Sequence, residues 1–141
     1  MRFMILVKAT DASERGIMPT EQQFAEMGKF NEELMSAGVL VSGDGLHPSS
    51  KGARVQFSGN NRTVQEGPFP ETNELVAGFW IWEVKSRDEA IEWVKRCPNP
   101  MPGDSEIEIR KIYEAEDFGP ELTPELRERE EELRKQLDAQ R

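Results

Sequence analysis

The chain has 141 residues and a mass of 16.1 kDa, a size at which one domain can bury a single hydrophobic core. Its 18 basic and 27 acidic residues give a formal net charge of -9, which argues against nucleic acid and anionic membranes as partners because both require a basic face. No segment approaches the ~20 apolar residues of a membrane span, and the single cysteine excludes an internal disulfide, so the sequence predicts a cytoplasmic protein.

The chain begins with a predicted strand, a polar loop and a helix. Residues 2–8 alternate in a way that makes both faces of the strand apolar, and residues 9–18 form the loop. Thr20 and Gln23 stand at capping-box spacing, and Gly38 is a typical residue for the end of the helix. The buried stripe of this helix is predicted to contain Phe24, Met27, Phe30 and Leu34.

Three short strands are predicted in the middle of the chain. Residues 39–41 are rich in β-forming residues and lead into residues 42–48, whose glycines predict a loop. Residues 53–58 and 62–65 are predicted to pair as a hairpin, because residues 59–61, Gly-Asn-Asn, fit a tight turn.

The second half of the chain again predicts a strand, a helix and a strand. Residues 76–84 are the most apolar strand of the sequence. Ser86 and Glu89 predict a capping box at the start of a helix that runs to Cys97, where a series of prolines ends it. Residues 106–113 alternate apolar and charged side chains, as in a half-buried strand.

This order predicts an α+β fold, in which a ferredoxin-like split βαβ arrangement carries an inserted β-hairpin. The strands at 2–8 and 76–84 are apolar on both faces, whereas two helices can cover only one face of one sheet. A second copy of the sheet would cover the other face. The sequence therefore predicts a homodimer that associates through its sheet faces.

The end of the chain differs from the rest in charge and pattern. We expect residues 1–115 to form the folded domain and residues 116–141 to form an acidic helical extension. Thr123 and Pro124 are favourable residues for the start of a helix. Beyond them, the large apolar side chains form one narrow stripe of Leu126, Leu133 and Leu137.

The segment from Glu66 to Thr72 contains a Gly-Pro-Phe-x-Glu-Thr motif, which is followed by Gly78-Phe79-Trp80 and by Glu89-Ala90-Ile91-Glu92-Trp93. In these residues the chain resembles the YCII-related family, and within it the DGPF branch, which is named for an Asp-Gly-Pro-Phe motif. The similarity runs from about Met1 to Ile112. It implies a dimeric α+β barrel, in agreement with the two apolar faces of the strands.

The chain departs from this family pattern in two ways. The first acid of the motif is Glu66 rather than aspartate. Some YCII-type members carry a histidine in the first helix that pairs with an aspartate as an acid–base dyad, whereas the first helix here has no histidine and has Glu26 near that place. The dyad therefore does not transfer to this chain. The resemblance also implies a link to extracytoplasmic-function sigma factors, which suggests a regulatory role.

Five residues in and near the motif are candidate ligand-binding residues: Arg54, Glu66, Gly67, Phe69 and Glu71. One interpretation is a rigid wall that presents the carboxylates of Glu66 and Glu71 to a small-molecule ligand. The other is a structural corner between strands, in which Glu66 accepts hydrogen bonds from exposed backbone N–H groups and Phe69 anchors the loop.

His47 is the only histidine, and it follows Asp44 in the predicted glycine-rich loop. With Asp44 or Glu66 it could carry out general acid–base catalysis, since histidine titrates near neutral pH. The alternative is a solvated loop histidine. These three residues are the catalytic candidates of the chain. One histidine among scattered carboxylates gives no recognisable ligand spacing, so neither a metal nor a cofactor is predicted.

Trp80, Trp82 and Trp93 could stack against a planar ligand, but their strand and helix spacing favours positions in the core or at an interface. Cys97 lies at the end of a helix, where the dipole disfavours a thiolate, and it is expected to be inert.

The sequence is compatible with three functions. The first is a module that binds a small ligand in a cleft near residues 43–48 and 66–72. The second is a regulatory interaction protein, whose acidic C-terminal helix meets a basic partner. The third is an acid–base enzyme that uses His47.

Overall fold

The elements of the chain follow the predicted order, with one additional short helix before the first long one. In the computed structural model, which describes residues 1–141, they are β1 (Arg2–Lys8), α1 (Asp11–Glu14), α2 (Glu21–Ser36), β2 (Leu40–Gly45), β3 (Ala53–Ser58), β4 (Asn61–Glu66), β5 (Val76–Glu83), α3 (Arg87–Lys95), β6 (Ile107–Lys111) and α4 (Pro124–Ala139). None of the helices combines the length and the apolar character needed to cross a bilayer.

The central sheet has four antiparallel strands in the order β2-β5-β1-β6. Strands β3 and β4 form a separate two-stranded sheet. Without this hairpin, the strand order and the helices α2 and α3 make a ferredoxin-like split βαβ arrangement. The predicted α+β fold with an inserted hairpin is confirmed.

The core lies between one face of the sheet and the helices α2 and α3. Phe3, Ile5 and Val7 of β1 pair with Trp82, Trp80 and Gly78 of β5 on this face. The ring of Phe30 on α2 contacts three tryptophans edge-on, with centroid distances of 6.1 Å to Trp80, 6.2 Å to Trp82 and 6.3 Å to Trp93. Edge-to-face packing of this kind adds to the energy of burial.

The opposite face of the sheet is also apolar at its centre, as predicted. Met4 pairs with Ile81, and Leu6 pairs with Phe79. All four side chains are half-buried. We call these four residues the open face.

Strand β2 continues to Gly45, so the prediction of a loop from residue 42 onward is wrong. Gly43 lies against the ring of Trp80, and a Cβ added there would stand 2.6 Å from Trp80 Cδ1. The glycine is needed for the close approach of an aromatic side chain to the strand, and it does not mark a turn.

The polar segment after β1 contains α1, which was predicted as loop. Thr10 caps this helix: its hydroxyl oxygen accepts from the backbone N–H of Ser13, and its own backbone N–H donates to the hydroxyl oxygen of Ser13.

Helix α2 has the predicted capping box and the predicted end, but Phe24 is 60% exposed and does not belong to the buried stripe. The buried residues of α2 are Phe30 and Leu34.

The chain divides into two compact units, Met1–Lys111 and Ile112–Arg141. Within the second unit Tyr113 stacks on Phe118 with a centroid distance of 4.9 Å, and Arg127 Nη2 lies 2.7 Å from Glu116 Oε1. Helix α4 begins with Thr123 as its cap and buries none of its residues.

We expect that removal of residues 116–141 leaves the domain folded. The core consists of residues from the first unit alone, and the three leucines of α4 remain about half exposed. The shortened chain should keep the tryptophan bands of the near-ultraviolet circular dichroism, since all three tryptophans lie in the first unit, with a small decrease in Tm. An insoluble or molten product would show that the second unit belongs to the architecture of the domain.

Candidate functional site

A cleft of about 950 Å³ opens within the first unit. Its walls are residues 16–20 before α2, the first half of α2, residues 43–48 at the end of β2, the start of β5, and the segment 100–102. We call it the apolar cleft. Its volume lies in the range of small-molecule binding sites.

Large apolar side chains line this cleft and remain exposed to solvent. Met18 is 73% exposed, Phe24 60%, Ile17 52% and Leu46 49%. Such side chains usually pack into the core. A contiguous group of them that stays exposed is typical of a binding surface.

The polar groups of the cleft are few. Asn31 accepts a hydrogen bond from Trp80 Nε1 at 2.9 Å, and Gln23 accepts one from the backbone of Thr20 at 2.8 Å. No lysine, arginine or glutamate lines the cleft, and its ionisable residues are Asp44 and His47. The electrostatic character of the walls therefore suits an uncharged ligand.

Asp44 and His47 were two of the candidate acid–base residues. No hydrogen bond joins the two side chains, and both residues are exposed. In the strand register Asp44 pairs with Phe79, while Gly43 pairs with Trp80. Asp44 therefore belongs to the sheet face that points away from the helices, since successive residues of a strand alternate between faces.

The Gly-Pro-Phe motif forms a tight corner after the hairpin. A Cβ on Gly67 would stand 1.8 Å from the carbonyl oxygen of Ser49, so only glycine fits there. Phe69 is 8% exposed, and its backbone N–H donates to Ser49 Oγ at 3.0 Å. The guanidinium of Arg54 lies 3.9 Å from the centroid of the Phe69 ring and 3.3 Å from Glu71 Oε2.

The roles within this corner differ from the predicted structural interpretation. Glu66 is exposed and caps no backbone N–H group. The side chain of Ser49 accepts the hydrogen bond from the backbone of the corner instead. The carboxylate of Glu14 in turn accepts from the backbone N–H of Ser49 at 3.0 Å and from the Ser49 hydroxyl. No local sequence pattern indicates Glu14 or Ser49, because their contact joins residues 35 positions apart.

The structure brings the predicted ligand-binding residues together around the corner, but it does not place them in the apolar cleft. The walls of the cleft include residues 43–48 and none of Arg54, Glu66, Gly67, Phe69 and Glu71. The expectation that residues 43–48 and 66–72 line one cleft therefore does not match the geometry.

The remaining candidates are part of the core or of its edge. Trp80 lines the apolar cleft, whereas Trp82 and Trp93 are buried in the aromatic cluster. Burial raises the pKa of the Cys97 thiol to about 12, so the side chain is a neutral thiol at physiological pH. Nowhere do three histidine, cysteine or carboxylate side chains come together as a metal site would require.

Comparison with known proteins gives the family of this chain. The family model described as the YCII-related domain matches residues 1–116. The chain belongs to the YCII-related family. Assignment to the DGPF branch rests on the Gly-Pro-Phe motif and stays a prediction.

Two individual proteins are similar to this YCII-related chain. An uncharacterized protein from Rhizobium meliloti (strain 1021) is 27% identical over 92 residues, which cover 65% of this chain and 74% of that protein. A solved structure of 5-chloro-2-hydroxyhydroquinone dehydrochlorinase from Burkholderia phenoliruptrix AC1100, in complex with 2,5-dihydroxybenzoquinone, is 17% identical. It has a TM-score of 0.47, and the match covers 84% of this chain and 100% of that chain.

We expect Gly67→Ala to destabilise the domain by about 1–3 kcal/mol or more, because the added methyl group overlaps backbone atoms that cannot rotate away. Urea unfolding would measure the change. Gly103→Ala is the matched control, since a Cβ at Gly103 meets nothing within 4 Å. Equal stabilities of the two variants would contradict the close approach at the corner.

Proposed function

We propose that this YCII-related protein is a binding module, and that the apolar cleft takes a small, uncharged and mainly apolar molecule. The observation that carries the proposal is the exposure of four large apolar side chains, Ile17, Met18, Phe24 and Leu46, in one cleft. A ligand that covered them would remove apolar surface from water, which contributes about 25 cal/mol for each Å².

The charges of the cleft support the same ligand class. Phosphates and carboxylates are bound in proteins by arginine, lysine or backbone N–H groups. The cleft walls contain no arginine and no lysine, and the start of α2 is already capped by Thr20 and Gln23. His47 can give one hydrogen bond to a polar group of the ligand, which agrees with its expected place at the binding site.

The proposal changes one part of the expectation from the sequence. The segment 43–48 remains a wall of the ligand site, whereas the segment 66–72 becomes a support that lies outside it. The other two interpretations, an acid–base enzyme that uses His47 and a regulatory protein that acts through α4, rest on the sequence and on the resemblance alone.

Gly28 offers a direct test of the cleft. It lies inside α2, lines the apolar cleft and has open space where a Cβ would stand. We expect Gly28→Met to fill the cleft and to weaken the binding of Nile red, an uncharged apolar dye, by about tenfold or more. The variant should not be less stable, because glycine inside a helix costs about 0.5–1 kcal/mol relative to other residues.

Ala25→Met is the matched control for this experiment. Ala25 is an exposed residue of the same helix and does not line the cleft, so this variant should bind Nile red like the wild type. Fluorescence titration measures the Kd, and thermal unfolding confirms that each variant is folded. The ligand proposal fails if the wild type does not bind the dye, or if Gly28→Met binds it equally well.

We further propose that two copies associate through the open face. Its four side chains, Met4, Leu6, Phe79 and Ile81, form one apolar surface, and two helices on the other side cannot cover it. A second sheet stacked on this surface would bury it, as sheets do in other layered proteins.

Analytical ultracentrifugation tests this assembly. The wild type should sediment with about twice the mass of one chain, which is 16.1 kDa. Ile81→Glu should produce monomers, because a carboxylate buried between two sheets would lose its hydration. Met35→Glu is the control, since Met35 is an exposed apolar residue of α2. A wild-type chain that sediments as a monomer would contradict the proposal.

A further inference from the structure

We propose that α1 is a positioning element for the apolar cleft, and that Glu14 acts in it by bonding to Ser49. This inference rests on the proposed ligand site, and it gives a task to Glu14, which neither lines the cleft nor belongs to the core. It also links the Gly-Pro-Phe corner to the cleft from which that corner is separate.

Both oxygens of the Glu14 carboxylate accept hydrogen bonds from the same residue, Ser49. Glu14 Oε1 accepts from the backbone N–H of Ser49 at 3.0 Å, and Glu14 Oε2 accepts from the hydroxyl of Ser49. The same hydroxyl oxygen accepts from the backbone N–H of Phe69 at 3.0 Å. Three segments far apart in sequence are therefore joined at one serine side chain, which uses both its donor and its acceptor capacity.

The position of this junction relates it to the cleft. Glu14 ends α1, and only Arg15 separates it from residues 16–20, which form one wall. Ser49 follows residues 43–48, which form another wall. The two hydrogen bonds therefore fix the separation of these walls, and hydrogen bonds to an ionised acceptor are roughly twice as strong as neutral ones.

The other end of α1 contacts a third wall. The hydroxyl of Thr10, the cap of α1, lies 3.4 Å from the sulfur of Met101. Met101 is buried and belongs to the segment 100–102 that lines the cleft. The single-turn helix α1 thus contacts the segment 100–102 through Thr10 and the end of the segment 43–48 through Ser49. Residues 16–20, a further wall, follow it in the chain.

The corner also has contacts that do not involve Glu14. Arg54 packs on Phe69 and pairs with Glu71, and the backbone N–H of Gly67 donates to the carbonyl of Gly52 at 2.9 Å. Glu14 takes part in none of these contacts. Its contribution is the connection between the corner and the wall that precedes α2, which is what a positioning residue for the cleft would supply.

Glu14→Ala in the full chain tests the inference, with two readouts. We expect the Kd for Nile red to rise by about threefold to tenfold, as remote positioning contacts typically change affinity by such factors. We also expect faster amide hydrogen exchange in residues 15–18 and 45–47. Glu14→Gln keeps the size of the side chain and one accepting oxygen, and it should show a smaller effect in the same direction.

Asp11→Ala is the matched control. Asp11 belongs to the same short helix, is exposed, and makes only a weak ion pair with Arg15, with 3.7 Å between Arg15 Nε and Asp11 Oδ2. Its removal should change neither the Kd nor the exchange of the two walls. The same changes in Asp11→Ala and Glu14→Ala would overturn the inference, because any disturbance of α1 would then suffice.

The two proposals fail in different ways. If Glu14→Ala lowers Tm but leaves the Kd and the exchange of both walls unchanged, Glu14 is a structural contact and the inference is wrong, while the ligand site stands. If the wild type does not bind Nile red, the ligand proposal fails. Hydrogen exchange then still decides whether Glu14 holds the walls together.

Discussion

The packing of Trp80 against Gly43 is the contact on which the core and the cleft both depend. The ring closes the core beside Phe30 and Trp82, and its indole N–H is bonded to Asn31 of α2. It can take this place only because β2 presents a glycine to it, with no room for a side chain. The same ring also lines the apolar cleft. The floor of the cleft is therefore a part of the core, and the site has a rigid base even though its rim consists of short segments.

This arrangement explains why apolar surface remains exposed in an otherwise well-covered domain. Helix α2 directs Phe30 and Leu34 into the core, and nearly two turns before Phe30 it leaves Phe24 at the cleft. The chain could have gained stability by closing the helix onto the sheet over its whole length. Instead the first half of α2 stands apart from β2, and Gly28 keeps that space open at a cost in helix propensity. Stability is given up at the place where a ligand is proposed to bind.

Local patterns were sufficient to predict the order of elements, the cap of α2 at Thr20 and the two apolar faces of β1. Each depends on residues that are close in the chain, so periodicity and capping rules apply directly. The errors have a different origin. The helical period placed Phe24 on the buried stripe, but the period cannot tell how far along its length a helix is covered. The glycines of β2 predict a loop from local pattern alone, because the contact of Gly43 with Trp80 joins two strands that are distant in the chain. The bond between Glu14 and Ser49 is invisible to any local rule for the same reason.

The hairpin of β3 and β4 has a consequence for the order in which the molecule opens. Every hairpin residue other than Arg54 is exposed, and Arg54 lies at the base, where it contacts Phe69 and Glu71. A two-stranded ribbon has little stability of its own in water. Its strands therefore depend on the corner, and the free energy of local opening should decrease from Arg54 toward the turn at Gly59. Within the unit Met1–Lys111, the turn is therefore a favoured site of proteolytic cleavage, and a cut there leaves the sheet and the cleft intact.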